Sequence, residues 1–271
     1  MSTYSKEHIN FLKKKKKEKY IIIGFQLIII IAFIAIWQIL ANYEIINTFL
    51  YSSPQNILKT ITELFKSNLI KHIGITTYET LISFVISSLL GIFIGAILWL
   101  NERIAKILDP YFTIINSLPK VALGPLIIIW VGASTSSIIF MALMISSILS
   151  IINIYNSFKE TDENYITLMK SFKATKWQIF RKVILPYNKQ NIFNTIKINI
   201  SMSLIGVIMG ELLVSKEGLG YLIMYGSQIF NINLVLTSVV ILGLLSYLIY
   251  LLVNKLENIF FQKKTHKWVF N

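Results

Sequence analysis

Long uncharged apolar runs alternate with short charged segments along most of the chain. A helix needs about 20 apolar residues to cross a bilayer, so each run of that length predicts a transmembrane helix. The predicted spans are residues 20–41, 80–100, two within 111–158 with a break near 132–137, then 191–215 and 232–254. The pattern therefore predicts an all-α, polytopic transmembrane bundle of about six helices.

Two segments between the predicted spans have other patterns. Residues 52–69 carry apolar side chains at helical spacing after Pro54, which predicts a short amphipathic helix on the outer surface. Residues 218–230 contain three glycines and are too short to cross, so we expect a non-spanning or re-entrant piece.

The predicted spans carry small residues and helix breakers. Proline removes a backbone donor, so Pro119 and the pair Gly124-Pro125 are expected to kink the third span. Small residues recur every four positions in the second and fifth spans, at Ser83, Ser87, Gly91, Gly95, Gly206 and Gly210. Such stripes let membrane helices approach closely. They could mark ordinary packing or a sliding, pathway-lining face.

The first apolar run follows the basic cluster 13–17 and resembles a signal peptide in outline. It is longer than a signal-peptide core, and no small-x-small cleavage site follows it. We therefore expect an uncleaved first span.

Composition and charge support a membrane protein. Hydrophobic residues make up 55% and charged residues 14% of the chain, against about 25% charged in soluble domains. With the amino terminus inside, twenty basic residues fall in inner segments and four in outer ones. This bias predicts a multi-pass protein of the plasma (cytoplasmic) membrane with both termini cytoplasmic. It also accounts for the net charge of +13 without a nucleic acid partner.

The sequence lacks the groups that most enzymes need. It has no cysteine, its three histidines lie outside the predicted spans, and it has no hydrolase, metalloprotease or phosphate-loop motif. We expect no catalytic residue and no metal. Glu211 is the one acid clearly inside a span. It could be functional, or it could reach water or headgroups near the outer boundary.

The segment 158–190 is too long for a simple turn. Its apolar side chains recur at helical spacing and include Trp177, which favours a structured helical loop with a partner surface over a solvated linker. Pro186 ends the pattern.

Three stretches carry a resemblance to a known family: residues 117–132, residues 174–186, and the pair 210–213 and 218–223 followed by Trp268. Their order and spacing, from about Thr76 onward, resemble the permease subunits of ABC importers. The likeness is to the branch associated with nitrate, taurine, aliphatic sulfonates and vitamin precursors such as pyrimidines.

The resemblance implies a type I ABC importer (MetI-like) architecture. Its expected parts are a basic cytoplasmic segment 1–19, a first span with outer segment 20–75, a permease core 76–260 and a cytoplasmic tail 261–271. It implies a homodimer around a central pathway for a small organic anion or vitamin precursor. An ABC ATPase subunit would hold ATP and Mg, with none bound by this chain, and an extracytoplasmic solute-binding protein would deliver the solute.

The resemblance also assigns residues. A helix of about 167–177 is expected to dock on the ATPase, with Thr167, Leu168, Met169, Phe172, Lys173, Ala174, Trp177 and Pro186 as coupling residues. The translocation pathway is expected near Gly91, Pro125, Ser203 and Glu211. Thr167 and Lys173 stand where the family has Glu and Gly. That departure leaves open an alternative, a membrane scaffold without transport activity.

Overall fold

The computed structural model describes residues 6–265, which form helices and contain no strand. Trp268 and residues 266–271 of the predicted tail lie outside the described residues. The longer helices are α1 (Lys6–Asn42), α3 (Pro54–Lys66), α4 (Leu69–Leu100), α5 (Glu102–Ser117), α7 (Thr135–Lys159), α11 (Lys189–Val214) and α13 (Ile232–Thr265). The shorter ones are α2 (Thr48–Tyr51), α6 (Gly124–Val131), α8 (Glu163–Ser171), α9 (Lys176–Ile179), α10 (Leu185–Tyr187) and α12 (Leu219–Gln228).

Within the described residues, five helices are long and apolar enough to cross a membrane, namely α1, α4, α7, α11 and α13. A sixth crossing exists if α5 and the segment Lys120–Val131, which includes α6, count as one broken span. The prediction of about six helices is confirmed in this sense. The third predicted span differs from the others because its two parts meet at 86°.

The break in this span has a local cause at Leu118 and Pro119. Leu118 has extended backbone angles (φ −66°, ψ 140°), as expected for a residue whose helical conformation would clash with the following proline ring. Pro125 lies in the first turn of α6 and leaves that helix intact, because a proline there removes no intrahelical hydrogen bond. The predicted interruption at Pro119 therefore becomes a sharp corner.

The two non-spanning elements lie at one end of the bundle, which we call the cap end. The amphipathic helix predicted for residues 52–69 is confirmed as α3, whose first turn is capped by Ser53 Oγ accepting from Asn56 N–H at 3.1 Å. The predicted re-entrant piece is α12, a helix of 10 residues. The opposite end carries α8, α9 and α10, and we call it the loop end.

Helices α4, α7 and α11 form the centre of the bundle, and the small residues lie between them. A Cβ added at Gly95 would come within 2.9 Å of Ile154 Cγ2, and one at Gly206 within 2.5 Å of Ala142 Cα. The stripes thus serve helix packing within one chain. Their interpretation as a pathway-lining face gains no support from a single copy.

Polar side chains link the same three helices at depth. The Asn199 amide of α11 lies 2.9 Å from Ser87 Oγ and 2.8 Å from Ser88 Oγ of α4. In the orientation that satisfies both of its polar atoms, it donates to the Ser146 carbonyl of α7 at 3.0 Å. Interhelical hydrogen bonds of this kind fix the register of membrane helices.

The outer helices α13 and α1 differ in how closely they pack on the bundle. Lys197 Nζ of α11 pairs with Glu257 Oε2 of α13 at 2.6 Å, with both side chains largely buried. Helix α1 exposes nearly all of its apolar side chains over its predicted span. This exposure fits a helix surrounded by lipid or by another membrane chain.

Candidate functional site

The segment that joins α7 to α11 is a folded helical loop at the loop end. Helix α8 begins at an Asp162 cap, whose carboxylate accepts from Asn164 N–H at 2.9 Å. A turn follows, then α9, a π-helical stretch Phe180–Ile184 and α10. The expectation of a structured loop is confirmed, whereas the single helix expected over about 167–177 is wrong. Helix α8 ends at Ser171, and α9 begins at Lys176.

Lys173 causes this division. Its φ of 53° lies in the left-handed region, which a helix cannot continue through. Lys173 N–H donates to the Lys170 carbonyl at 2.8 Å, and Ala174 N–H donates to the Met169 carbonyl at 3.1 Å. These two bonds form a Schellman cap, in which glycine is the usual residue at the left-handed position. Lysine therefore occupies a backbone position that favours glycine.

The predicted coupling residues fall into two groups. Apolar or hydroxyl side chains are exposed at Thr167, Leu168 (54%), Phe172 (73%) and Trp177 (58%), and Lys173 and Pro186 are also exposed. Met169 and Ala174 are partly buried and pack against the bundle. Four members of the exposed group lie around the α8–α9 turn, and we call them the turn surface: Leu168, Phe172, Lys173 and Trp177.

The turn surface rests on a buried aromatic base. Phe180 contacts Trp99 of α4 at 5.6 Å and Phe158 of α7 at 5.5 Å between ring centroids, and Trp177 stacks on it at 5.8 Å. Phe158 and Phe180 are buried in a cluster with Ile154, Ile179 and Ile184. Trp177 of the turn surface is therefore connected to α4 and α7 through close packing.

A buried hydrogen bond closes the base of the loop. Asn188 Nδ2 donates to Thr161 Oγ1 at 2.6 Å and to the Ile184 carbonyl at 3.0 Å. The sequence pattern did not single out this pair, because 27 residues separate the partners and each occurs in a polar context typical of a loop.

The four predicted pathway residues do not come together in one copy. Gly91 packs against Ser150, and Ser203 and Glu211 are buried between helices. Pro125 is exposed on α6. Of these four, Pro125 alone lies on a surface that could face a pathway between two copies, and the assignment of the pathway stays a prediction.

Glu211 ties the cap end together. Its carboxylate accepts from Thr76 Oγ1 of α4 at 2.7 Å and from Gly220 N–H at 2.6 Å. Leu219 N–H donates to Thr76 Oγ1 at 2.9 Å, and Gly218 N–H donates to His72 Nδ1 at 2.9 Å. Glu211 is 1% exposed, so the interpretation that it reaches water or headgroups is wrong. Sequence reasoning missed Thr76 and His72, which are more than 130 residues away.

Comparison with known proteins identifies the chain. Residues 87–266 match the family described as the binding-protein-dependent transport system inner membrane component. The chain belongs to this family. It is the permease component of an ABC importer, and its relatives are transporter components rather than enzymes.

Similar permeases come from several organisms. The chain is 28% identical over 236 residues to the putative aliphatic sulfonates transport permease SsuC of Bacillus subtilis (strain 168), covering 87% of this chain and 84% of that protein. It is 29% identical over 224 residues to the formylaminopyrimidine transport permease ThiX of Halalkalibacterium halodurans, covering 83% and 89%. The Escherichia coli (strain K12) taurine permease TauC is 22% identical over 231 residues, covering 83% and 84%.

A solved structure confirms the fold. The permease aligns with a chain from an inward-facing structure of the MetNI methionine ABC transporter with a TM-score of 0.63 and 21% identity. The alignment covers 72% of this chain and 96% of that chain. The expected type I importer architecture is therefore confirmed.

Proposed function

We propose that this permease forms the membrane pathway of an ATP-driven importer and couples to a cytoplasmic ATPase through the turn surface. The observation that carries the proposal is an apolar surface displayed on a rigid base. Leu168, Phe172 and Trp177 are each more than half exposed, yet the loop beneath them is closely packed. Exposed aromatic groups on a rigid support are typical of interface hot spots.

Docking of the ATPase on the turn surface would drive the transport cycle. ATP and Mg would be held by the ATPase and not by this chain. Closure of two ATPase subunits would push the two turn surfaces together, and the packing of Phe180 on Trp99 and Phe158 would pass that motion to α4 and α7. Packed helices switch between discrete arrangements rather than deform continuously. The bundle would then rock between inward-open and outward-open states.

The remaining partners would be an extracytoplasmic solute-binding protein, as the family description implies, and a second copy of the permease. Membrane lipid would cover the exposed apolar helices. Relatives named for aliphatic sulfonates, taurine and formylaminopyrimidine suggest a small organic anion or a vitamin precursor as the solute. Uptake of these compounds by a deletion strain, with and without the gene restored, tests the solute class.

The docking proposal is tested by co-purification of the permease with an ABC ATPase subunit from the same organism. Phe172→Ala should weaken the association by about thirtyfold, as expected for an interface hot spot worth about 2 kcal/mol. Lys173→Glu reverses a charge on the same surface. Phe65→Ala is the matched control, because Phe65 is similarly exposed but lies on α3 at the cap end. Unchanged association and transport in both turn variants would refute the docking surface.

The membrane scaffold without transport activity gains no specific support. It rested on the departures at Thr167 and Lys173. Lys173 adopts the left-handed conformation that glycine would supply. The lysine therefore does not prevent a turn of the kind that glycine favours.

A further inference from the structure

Two buried carboxyl groups meet at the cap end. Glu79 of α4 and Glu211 of α11 are each 1% exposed, and their side chains lie within interaction range of each other. Glu211 has donors in Thr76 and Gly220. Within residues 6–265, neither carboxyl oxygen of Glu79 has a hydrogen-bond partner, although both are buried. Glu79 belongs neither to the turn surface nor to the predicted pathway.

Among the described residues, no positively charged side chain interacts with this pair. On α4, Lys71 is ion-paired with Glu217 at the surface, and His72 Nδ1 accepts the Gly218 N–H, so that nitrogen carries no proton. Tyr221 of α12 stacks on His72. From α7 the neighbour is the uncharged Thr135, whose hydroxyl lies near Glu79 but outside hydrogen-bond geometry. Two carboxylates can only accept hydrogen bonds, so as a doubly charged pair they would repel each other without a donor between them.

A single shared proton removes both the repulsion between the two carboxylates and the lack of a donor between them. It turns one carboxyl into a donor to the other and removes one of the two buried charges, as in paired carboxyls that share a site. A metal ion would need a larger set of ligands. The described part of the chain contains no group of three or more acidic, histidine or cysteine side chains that could hold one.

We propose that Glu79 and Glu211 hold one proton between them, and that this shared proton keeps the turn Gly218–Gly220 closed against α4. Glu211 would then keep an acceptor for Gly220 and for Thr76, which itself holds Leu219. Loss of the proton leaves two facing negative charges, which would push α4 and α11 apart where the turn is anchored.

Closure of the turn Gly218–Gly220 depends on pH through this shared proton. The closed turn binds one proton more than the open one, so closure is favoured at low pH. It weakens by up to tenfold for each pH unit over which that proton is lost. His72 would act in the opposite direction, because its protonation at low pH removes the acceptor of Gly218 N–H. The carboxyl pair and His72 therefore predict opposite pH dependences of turn closure, which an experiment can distinguish.

Hydrogen exchange of the full-length permease in nanodiscs tests the proposal, with the amides of Gly218, Leu219 and Gly220 as reporters. After correction for intrinsic exchange, wild-type protection should fall at least about tenfold from pH 6 to pH 9. Glu79→Gln should stay protected throughout, because its amide donates to Glu211 at any pH. Glu63→Gln, at an exposed acid of α3, should follow the wild type.

Three results would overturn the proposal: equal pH profiles in wild type and Glu79→Gln, protection lost only toward low pH, or protection that depends on Na⁺ at fixed pH. An infrared measurement on the wild type covers the case in which the variant does not fold. The proposal requires a protonated-carboxyl band that disappears at high pH, and the absence of such a band would refute it.

Discussion

Gly206→Ala adds one methyl group where α7 and α11 approach closely. Its Cβ would lie 2.5 Å from Ala142 Cα, 3.1 Å from Ala142 Cβ and 3.3 Å from Ala142 N. Carbon atoms in contact prefer about 3.5–4.0 Å, so the helices must separate by about 1 Å. Because the nearest atom belongs to the backbone, no side-chain rotation can relieve the overlap.

The expected cost can be estimated. Overpacking of a tight interface costs about 1–3 kcal/mol, and alanine returns about 0.5–1 kcal/mol of helix propensity relative to glycine. A net loss of about 1–2 kcal/mol corresponds to about 2–8 °C in melting temperature for a chain of this size. The assay is thermal unfolding of the purified permease in detergent.

Gly243→Ala on α13 is the matched control, because a Cβ there meets no atom within 4 Å. This control should melt at or slightly above the wild-type temperature. Adding Ala142→Gly to the Gly206 variant should restore stability only in part, since the contact with Ala142 Cα remains. Equal melting of the Gly206 and Gly243 variants, or complete rescue by Ala142→Gly, would refute the packing argument.

Three further predictions concern the loop, the outer helices and the topology. Lys173→Gly should stabilise the α8–α9 turn by about 1 kcal/mol, because φ is 53° there; slower hydrogen exchange of Ala174 would confirm this, and faster exchange would contradict it. Lys197→Glu should lower the melting temperature, because it leaves Glu257 unpaired in a largely buried position. The double variant Lys197→Glu with Glu257→Lys should restore most of the loss, and no recovery would argue against the contact. The chain has no native cysteine, so single cysteines can report the topology. Ser171→Cys should react with an impermeant thiol reagent only in inside-out vesicles, and Ser67→Cys should react only in intact cells. The reverse pattern would contradict the proposed orientation.

The contacts of Glu211 could not be predicted from the sequence. Its position inside a span marked it as unusual, but two interpretations remained open. What decides between them is the distance to Thr76 and Gly220. That distance depends on the rotation of α4 about its own axis. A helical repeat shows which residues share a face, and it does not show which other helix that face meets.

The coupling loop shows the same limit at a smaller scale. Its apolar spacing indicated helix, but it did not predict that the helix stops at Ser171. The helix ends because the backbone of Lys173 has a positive φ, which lysine rarely adopts. Local propensity favoured continuation, and the packing of Ile179, Phe180 and Ile184 against the bundle required a turn.

The sequence alone determined the membrane class, the approximate spans, the amphipathic helix α3, the short helix α12 and the family. These features depend on the length and polarity of local segments, because a bilayer imposes its thickness on each apolar run separately. Tertiary structure alone decided the aromatic base of the loop and the meeting of Glu79 with Glu211. Each of these depends on how helices distant in sequence pack, and steric fit between their faces settles that packing.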